Sequence, residues 1–328
     1  MESPAHIPVL IDDVLELLAP RAGALYCDGT LGRAGHTRAI LERSAPDGRV
    51  IAVDRDPEAI AAVAELSTEV GERLLVVHGR FGDLPAIVER LGVGPLDGIL
   101  LDLGVSSPQL DVAERGFSFT RSGPIDMRMD PTTGPTALDL IRDLSQPELA
   151  AVLRELGEER LHHRIAGQLK QAVRADQLAT TLDLARVVAS CFSAGDLRRL
   201  HIHPATRTFQ ALRLAVNHEL DELTSFLASF PDLLAPGGRC VVISFHSLED
   251  RLVKRRFRDL AWSSSLPANL ATAAGERVHP VCTPLTRKAV FADDDETDDN
   301  PRARSARLRA CQRTDAPNVP ASLASPPR

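Results

Sequence analysis

The sequence predicts an α/β fold: a Rossmann-like, mostly parallel, doubly wound sheet with an inserted helical domain. Three observations carry this reading. Short apolar runs alternate with helix-like segments over the first hundred or so residues. A glycine turn, Asp28-Gly29-Thr30-Leu31-Gly32-Arg33-Ala34-Gly35-His36, follows the first run, and the second run ends in Asp54. Strand, glycine turn, helix, strand, acid is the layout of a nucleotide-binding βαβ unit. Finally, the alternation stops near residue 106 and resumes after about 205.

The candidate strands are 24–28, 49–53, 73–77 and 97–102, each rich in Val, Ile or Leu, with helices expected at 33–44 and 56–66. Residues 103–135 are rich in Gly, Ser, Pro, Asp and Arg and read as ordered loops. Ser145-Gln146-Pro147-Glu148 is a capping box, and Leu149, Val152, Leu153 and Leu156 follow at helical spacing. Thr180-Thr181-Leu182-Asp183 opens another helix through Val188. Phe209 through Leu234 marks a long helix or a helix pair, stopped by Ala235-Pro236-Gly237-Gly238 before the strand Arg239–Phe245. The division that follows is a core of 1–105 and 206–312, an inserted helical substrate-recognition domain over 106–205, and a disordered tail over 313–328.

Composition narrows the class. The 328 residues suit one large or two ordinary domains, and 44% hydrophobic with 25% charged residues is the balance of a soluble globular chain. Neither a membrane-length apolar run nor a signal peptide is visible. The five cysteines are scattered, with no C-x-x-C spacing, so the reading is a reducing cytoplasm with no disulfide framework and no metal site. Cys27 and Cys240 lie in strand-like runs and read as packed thiols. The net charge of −7 hides local basic clusters at 198–203, 251–258 and 302–309. They read equally as phosphate-binding patches or as solvated helix faces.

The candidate site lies beyond the carboxyl ends of the strands, where doubly wound sheets bind ligands. Asp28, Asp54, Asp102 and Ser244 fall at such ends. A carboxylate at the mouth of the turn opposes a pyrophosphate and attracts a ligand bearing an ammonium and a sulfonium, which favours S-adenosyl-L-methionine over a dinucleotide. Asp54 is placed to hold a ribose diol. Phe81 either stacks on the adenine or belongs to the core. His36 either touches the ligand's carboxylate or caps a helix. Asp102 opens Asp102-Leu103-Gly104-Val105-Ser106-Ser107-Pro108-Gln109, a loop able to aim acceptors at a substrate amine, and Asp102, Ser106 and His246 are the catalytic candidates. No cysteine lies in that loop or after Ser244, so transfer to nitrogen is favoured over attack at cytosine C5.

These segments resemble the ribosomal RNA small-subunit methyltransferase H (MraW) family. The matching stretches include His6–Leu10, Asp28–His36, Ala52–Asp56, Leu100–Leu110, Glu114–Phe119, Gly123–Asp130, Gly157–Arg160, His203–Gln210, Ser244–Arg251 and Asn300–Ser305. The resemblance implies a class I S-adenosylmethionine-dependent methyltransferase. The implied reaction is N4-methylation of a cytidine in the decoding region of 16S ribosomal RNA within the small subunit. It also implies cofactor contacts from Ala34, Gly35, His36, Asp54, Phe81, Asp102 and Gln109, alongside Asp28. The chain departs from the family at Ala34, where glycine is usual; the extra methyl is tolerated if that residue's φ is negative. Arg115, Arg128, Arg207 and Arg213 are the candidate RNA contacts, against an alternative in which they brace the insertion. The competing readings are an amino-methyltransferase acting on DNA or protein and a non-catalytic ribosome-binding protein. The choice between monomer and homodimer is left open.

Overall fold

The computed structural model describes residues 8–262 and 280–318. The expectations for residues 1–7, including His6 and Ile7, and for the tail beyond 318 lie outside them. The chain divides into two compact units, Met1–Gly104 with Asp221–Arg328, and Val105–Leu220.

The strands are β1 (Leu25–Asp28), β2 (Arg49–Asp54), β3 (Leu74–His78), β4 (Leu96–Asp102), β5 (Leu234–Ser244), β6 (Cys282–Pro284) and β7 (Arg307–Arg313). The helices before the second unit are α1 (Ile11–Leu18), α2 (Gly35–Arg43), α3 (Pro57–Ala62), α4 (Ala64–Val70) and α5 (Leu84–Leu91). The second unit holds α6 (Ser107–Asp111), α7 (Ala137–Asp143), α8 (Gln146–Gly157), α9 (His162–Arg174), α10 (Thr181–Ala189), α11 (Ala194–Leu197) and α12 (Thr206–Asn217). The chain returns to the first unit in the first turn of α13 (Glu219–Leu233) and continues through α14 (Ser247–Leu260) and α15 (Asp294–Asp299).

The first unit is built on a sheet of order β3-β2-β1-β4-β5-β7-β6. Strands β1 to β5 pair in parallel, and β7 runs antiparallel between β5 and β6. Both faces are covered, which is why the central strands read as unbroken apolar runs. One face carries Cys27, Ile51, Ile99 and Cys240 against Ile87 of α5, Phe226 and Phe230 of α13, and Phe257 of α14. The other carries Tyr26, Val50, Leu100 and Val241 against Val14 of α1, Ile40 of α2 and Leu66 of α4. Cys27, Cys240, Cys282 and Cys311 are buried in this sheet, and Cys191 is buried in the core of the second unit.

Several boundaries differ from the sequence reading. The 56–66 segment breaks at Val63 (φ −106°, ψ 13°) into α3 and α4. The 209–234 segment is a helix pair, broken at His218 (φ 52°). β5 begins at Leu234, before the Pro-Gly-Gly turn: Leu96 pairs with Leu234 and Gly98 with Arg239, so the turn residues bulge from the strand. Arg313, assigned to a tail, ends β7, and the Thr314 hydroxyl donates to Pro280 O at 2.6 Å. Helix α12, assigned to the core, belongs to the second unit. A Cβ on Gly157 of α8 would lie 2.6 Å from Arg207 O, so these two helices meet backbone to backbone.

The second unit has its own core, including Ile141, Leu153, Leu169, Leu184, Phe209 and Leu212. Its loop before α7 is ordered by backbone partners. Asn217 donates through Nδ2 to Met127 O at 2.7 Å and accepts at Oδ1 from Met129 N–H at 2.8 Å. Each of these groups would otherwise be a buried orphan.

Candidate active site

The carboxyl ends of β1, β2 and β4 bring three aspartates to one rim of the first unit. Asp28 ends β1 and is buried. Its Oδ2 accepts from the Thr37 hydroxyl at 2.7 Å, and its Oδ1 from Thr30 N–H at 3.1 Å and the Thr30 hydroxyl at 3.4 Å. Asp54 ends β2, and its two oxygens accept from Gly32 N–H and Asp56 N–H, each at 2.8 Å. These bonds fold the glycine turn back over the sheet. Burial pushes Asp54 up to about 6 against the pull of those two amides.

Asp102 ends β4, and its N–H donates to the Thr30 hydroxyl at 2.7 Å. Thr30 therefore links the first and last of the three acids. Asp102 Oδ2 lies 3.7 Å from His36 Nδ1, while Oδ1 is buried without a hydrogen-bond partner among the described residues. The carboxylate is enclosed by protein yet keeps 24% of its side-chain surface open. Burial pushes it up to about 6; the His36 ring opposes the rise, and the Asp28 and Glu249 carboxylates add to it. His36 is buried, with Nε2 3.0 Å from Val9 O. A carbonyl only accepts, so Nε2 carries a proton and Nδ1 faces Asp102. The contact is attractive when a proton lies between Nδ1 and Oδ2.

Helix α2 begins at this rim. Its N-cap, Ala34, gives no side-chain cap, which leaves the first-turn amides to another acceptor. Ala34 has φ 62°, not the negative φ under which its methyl fits freely, so the residue holds a left-handed conformation costing roughly 1 kcal/mol. Gly35 is a glycine for a packing reason: a Cβ there would lie 2.4 Å from Pro8 Cγ. Phe81 is half-buried, edge-on to Phe226 at 6.1 Å between centroids, so it joins the core while keeping some surface open.

The other catalytic candidates serve as helix caps. His246 is the N-cap of α14: its Nδ1 accepts from Glu249 N–H at 3.5 Å, and Glu249 Oε2 accepts from Phe245 N–H at 2.9 Å. His246 Nε2 lies 3.0 Å from Glu249 Oε1, within ion-pair range but off the hydrogen-bonding direction. Ser106 caps α6 in the second unit, where Gln109 Oε1 accepts its N–H at 2.9 Å. The four candidate RNA arginines divide. Arg115 is buried and donates to Arg128 O at 3.2 Å and Met129 O at 2.8 Å. Arg128 holds Asp126 in a fork at 2.9 and 2.7 Å, and Arg213 holds Glu219 at 2.9 and 3.1 Å. The Arg207 guanidinium makes one hydrogen bond among the described residues, to Glu158 O at 3.0 Å. Thr30 and Thr37, which organise the rim, were not among the sequence candidates. The signal available was the Asp-Gly-Thr turn, whose hydroxyl can reach back to its own acid.

The residues present fit S-adenosylmethionine. The uncapped start of α2 could take its carboxylate and Asp54 its ribose hydroxyls, and the negative charge of Asp102 at the same rim suits its cationic end. No cluster among the described residues could hold a metal ion, and no helix among them is long and apolar enough to cross a membrane.

The model of the MraW methylase family matches residues 3–314. Ribosomal RNA small subunit methyltransferase H of Trichlorobacter lovleyi is 48% identical over 316 residues, covering 95% of this chain and 99% of its own. The protein of the same name from Anaeromyxobacter dehalogenans is 50% identical over 309 residues, covering 94% of this chain and 97% of its own. That from Geobacter sulfurreducens is 48% identical, covering 94% and 99%. Identity at this level along nearly the whole length, over a sheet whose acids converge at one rim, means that the chain belongs to the MraW methylase family.

Proposed function

We propose that this protein methylates the exocyclic N4 of a cytidine in the decoding region of 16S ribosomal RNA, within the small ribosomal subunit of the cytoplasm. It is a methyltransferase that uses S-adenosylmethionine, and small-subunit ribosomal RNA is the substrate its relatives' names indicate. S-adenosylmethionine supplies an electrophilic methyl group on a sulfonium.

The observation that carries the reading is the unpartnered, buried Oδ1 of Asp102 at the end of β4. An exocyclic cytosine amine is a weak nucleophile, because its lone pair is delocalised into the ring. Acceptors that hold its N–H groups raise the fraction of time it points along the line of attack. Asp102 offers such an acceptor, held in place by Thr30 through its own N–H. Asp54 and the first turn of α2 hold the methyl donor, with Asp28 setting the turn through Thr30 and Thr37. No histidine base is required. A methylated aryl ammonium is strongly acidic and sheds its proton to water, so His246 is left to its capping role. The second unit, with Gln109 and Ser106 at its entry helix, is the body that meets RNA.

Small subunits lacking the modification, incubated with tritiated S-adenosylmethionine, should take up label that digestion traces to N4-methylcytidine. Folded, cofactor-bound protein that transfers no label to subunits, or that labels duplex DNA instead, would refute the assignment.

A further inference from the structure

A concavity lies within the second unit, lined by none of the residues assigned above to methyl transfer. It encloses about 650 Å³ between the start of α9, the end of α10 and the segment from α11 to α12. Its cations are Arg160, Arg199 and Arg207, and its rings are Phe192, His201 and His203. Two acids also line it, and both are engaged. Glu159 is buried with Oε1 accepting from Leu161 N–H at 2.9 Å, and Asp196 accepts from the Ser193 hydroxyl at 2.6 Å in the cap of α11.

The arginines here contrast with three others of the unit. Arg115, Arg128 and Arg213 are committed to carbonyls or carboxylates. Arg160 and Arg199 are exposed, with guanidinium groups that meet no hydrogen-bond acceptor among the described residues. The rings are equally prepared. His203 stacks on Phe119 with centroids 4.5 Å apart and planes 12° from parallel, and Phe119 sits edge-on to Phe209. Ala205 N–H donates to His203 Nδ1 at 3.2 Å, which fixes the ring and leaves Nε2 as its outward donor. Leu200 and Ile202 are 37% and 49% exposed at the same place.

We propose that this concavity binds a nucleotide of single-stranded RNA, with its base on the His203–Phe119 stack and its phosphates on Arg160, Arg199 and Arg207. A planar apolar face beside unspent guanidinium groups is the chemistry of single-strand recognition. An acidic peptide would use the charges but not the pre-stacked ring. The proposal rests on the RNA substrate assigned above and adds a docking point made by residues of the second unit alone.

The test uses the full chain, a fluorescent mixed-sequence single-stranded RNA, and small subunits lacking the methyl group. Arg199→Ala and Arg207→Ala should each flatten the slope of log affinity against log salt by about 0.7. His203→Ala should weaken RNA binding about tenfold, whereas His203→Phe keeps the stack and most of the affinity. All four should bind S-adenosylmethionine as the wild type does, with unchanged melting temperature in the two arginine variants; Arg199→Ala, Arg207→Ala and His203→Ala should show a raised KM for subunits, and His203→Phe should not. Arginine variants with wild-type RNA affinity, salt slope and KM would overturn the site. Variants that lose subunits yet bind free RNA normally would overturn it in favour of a ribosomal protein. Wild-type protein that binds the cofactor but methylates no subunit would instead overturn the substrate assignment, before any variant is made.

Discussion

The corner where β1 and β2 end and the tip of β4 carry the same side chain to opposite effect. Asp28 and Asp54 have both oxygens occupied by backbone amides or threonine hydroxyls. Asp102 has one oxygen beside His36 and one with no hydrogen-bond partner among the described residues. The difference teaches that residue type at a strand end does not define a role; the count of donors around it does. Carboxylates with a protein donor on each oxygen build the turn, and Asp54 meets a ligand from that fixed position with its remaining lone pairs. The one left unsaturated retains capacity for a ligand, at a desolvation cost that the fold carries in advance.

The sharpest way to break this comparison is Asp102→Asn, which removes the charge and keeps the shape. Turnover of subunits should fall about 100-fold, as for loss of one preorganised charged group, while cofactor affinity falls by much less. Single-turnover rates and calorimetry on the same variant separate the two. Equal losses would place Asp102 on the cofactor alone. Asp54→Ala comes next. It should weaken S-adenosylmethionine binding by roughly tenfold or more and also lower stability by about 1–3 kcal/mol, because Gly32 and Asp56 lose their acceptor. Urea unfolding with and without cofactor measures both.

The pH dependence comes third, and its two halves have opposite signs. Asp54 and Asp102 are pushed up to about 6 from 3.8. Between those values the folded state binds more protons than the unfolded one, so ligand-free stability falls as pH rises from about 4 to 6. A cationic ligand favours the ionised carboxylates, so its affinity rises through the same window, by roughly tenfold from pH 5 to 7.5. Calorimetry at the two pH values, beside denaturant melts of the free protein, checks both signs. An affinity flat across that range would remove the carboxylates from cation binding. The smallest effect belongs to Ala34→Gly. Relief of the left-handed methyl, offset by glycine's greater freedom when unfolded, should stabilise by about 0.5 kcal/mol. A destabilised glycine variant would mean that the Ala34 methyl packs more tightly than its backbone suffers.

Much of this architecture was legible in the sequence because burial writes itself into side-chain period. Strands β1 to β4 carry apolar runs, α8 opens with the capping box read from the sequence, and α10 opens at Thr180 as read, where the structure adds a capping box with Asp183. What stayed hidden follows other rules. β7 reads Arg-Leu-Arg-Ala-Cys-Gln-Arg, and its Arg309 is buried only because Asp250 of α14 pairs with it at 2.6 Å. No local pattern announces a partner so distant in the chain. In α9, Ile165, Ala166, Leu169 and Ala172 keep helical spacing, diluted by the charged and polar residues around them. At the rim, the acids were visible as strand ends, but the bonds that distinguish them were not. Those bonds depend on where the Gly32 amide and the Thr30 and Thr37 hydroxyls arrive after folding. His246 shows the same limit, since a histidine after a strand looks identical whether it caps a helix or moves a proton.

The concealed cysteines make the wild-type protein its own reporter. Every thiol is buried, four in the sheet and Cys191 in the helical unit. An alkylating reagent can reach a given sulfur only during an opening of the body around it. Peptide-resolved mass spectrometry after pulses of such a reagent would thus time the breathing of each unit in one untagged sample. Adding methyl donor should slow modification of the sheet sulfurs while leaving the pace at Cys191 as a built-in clock.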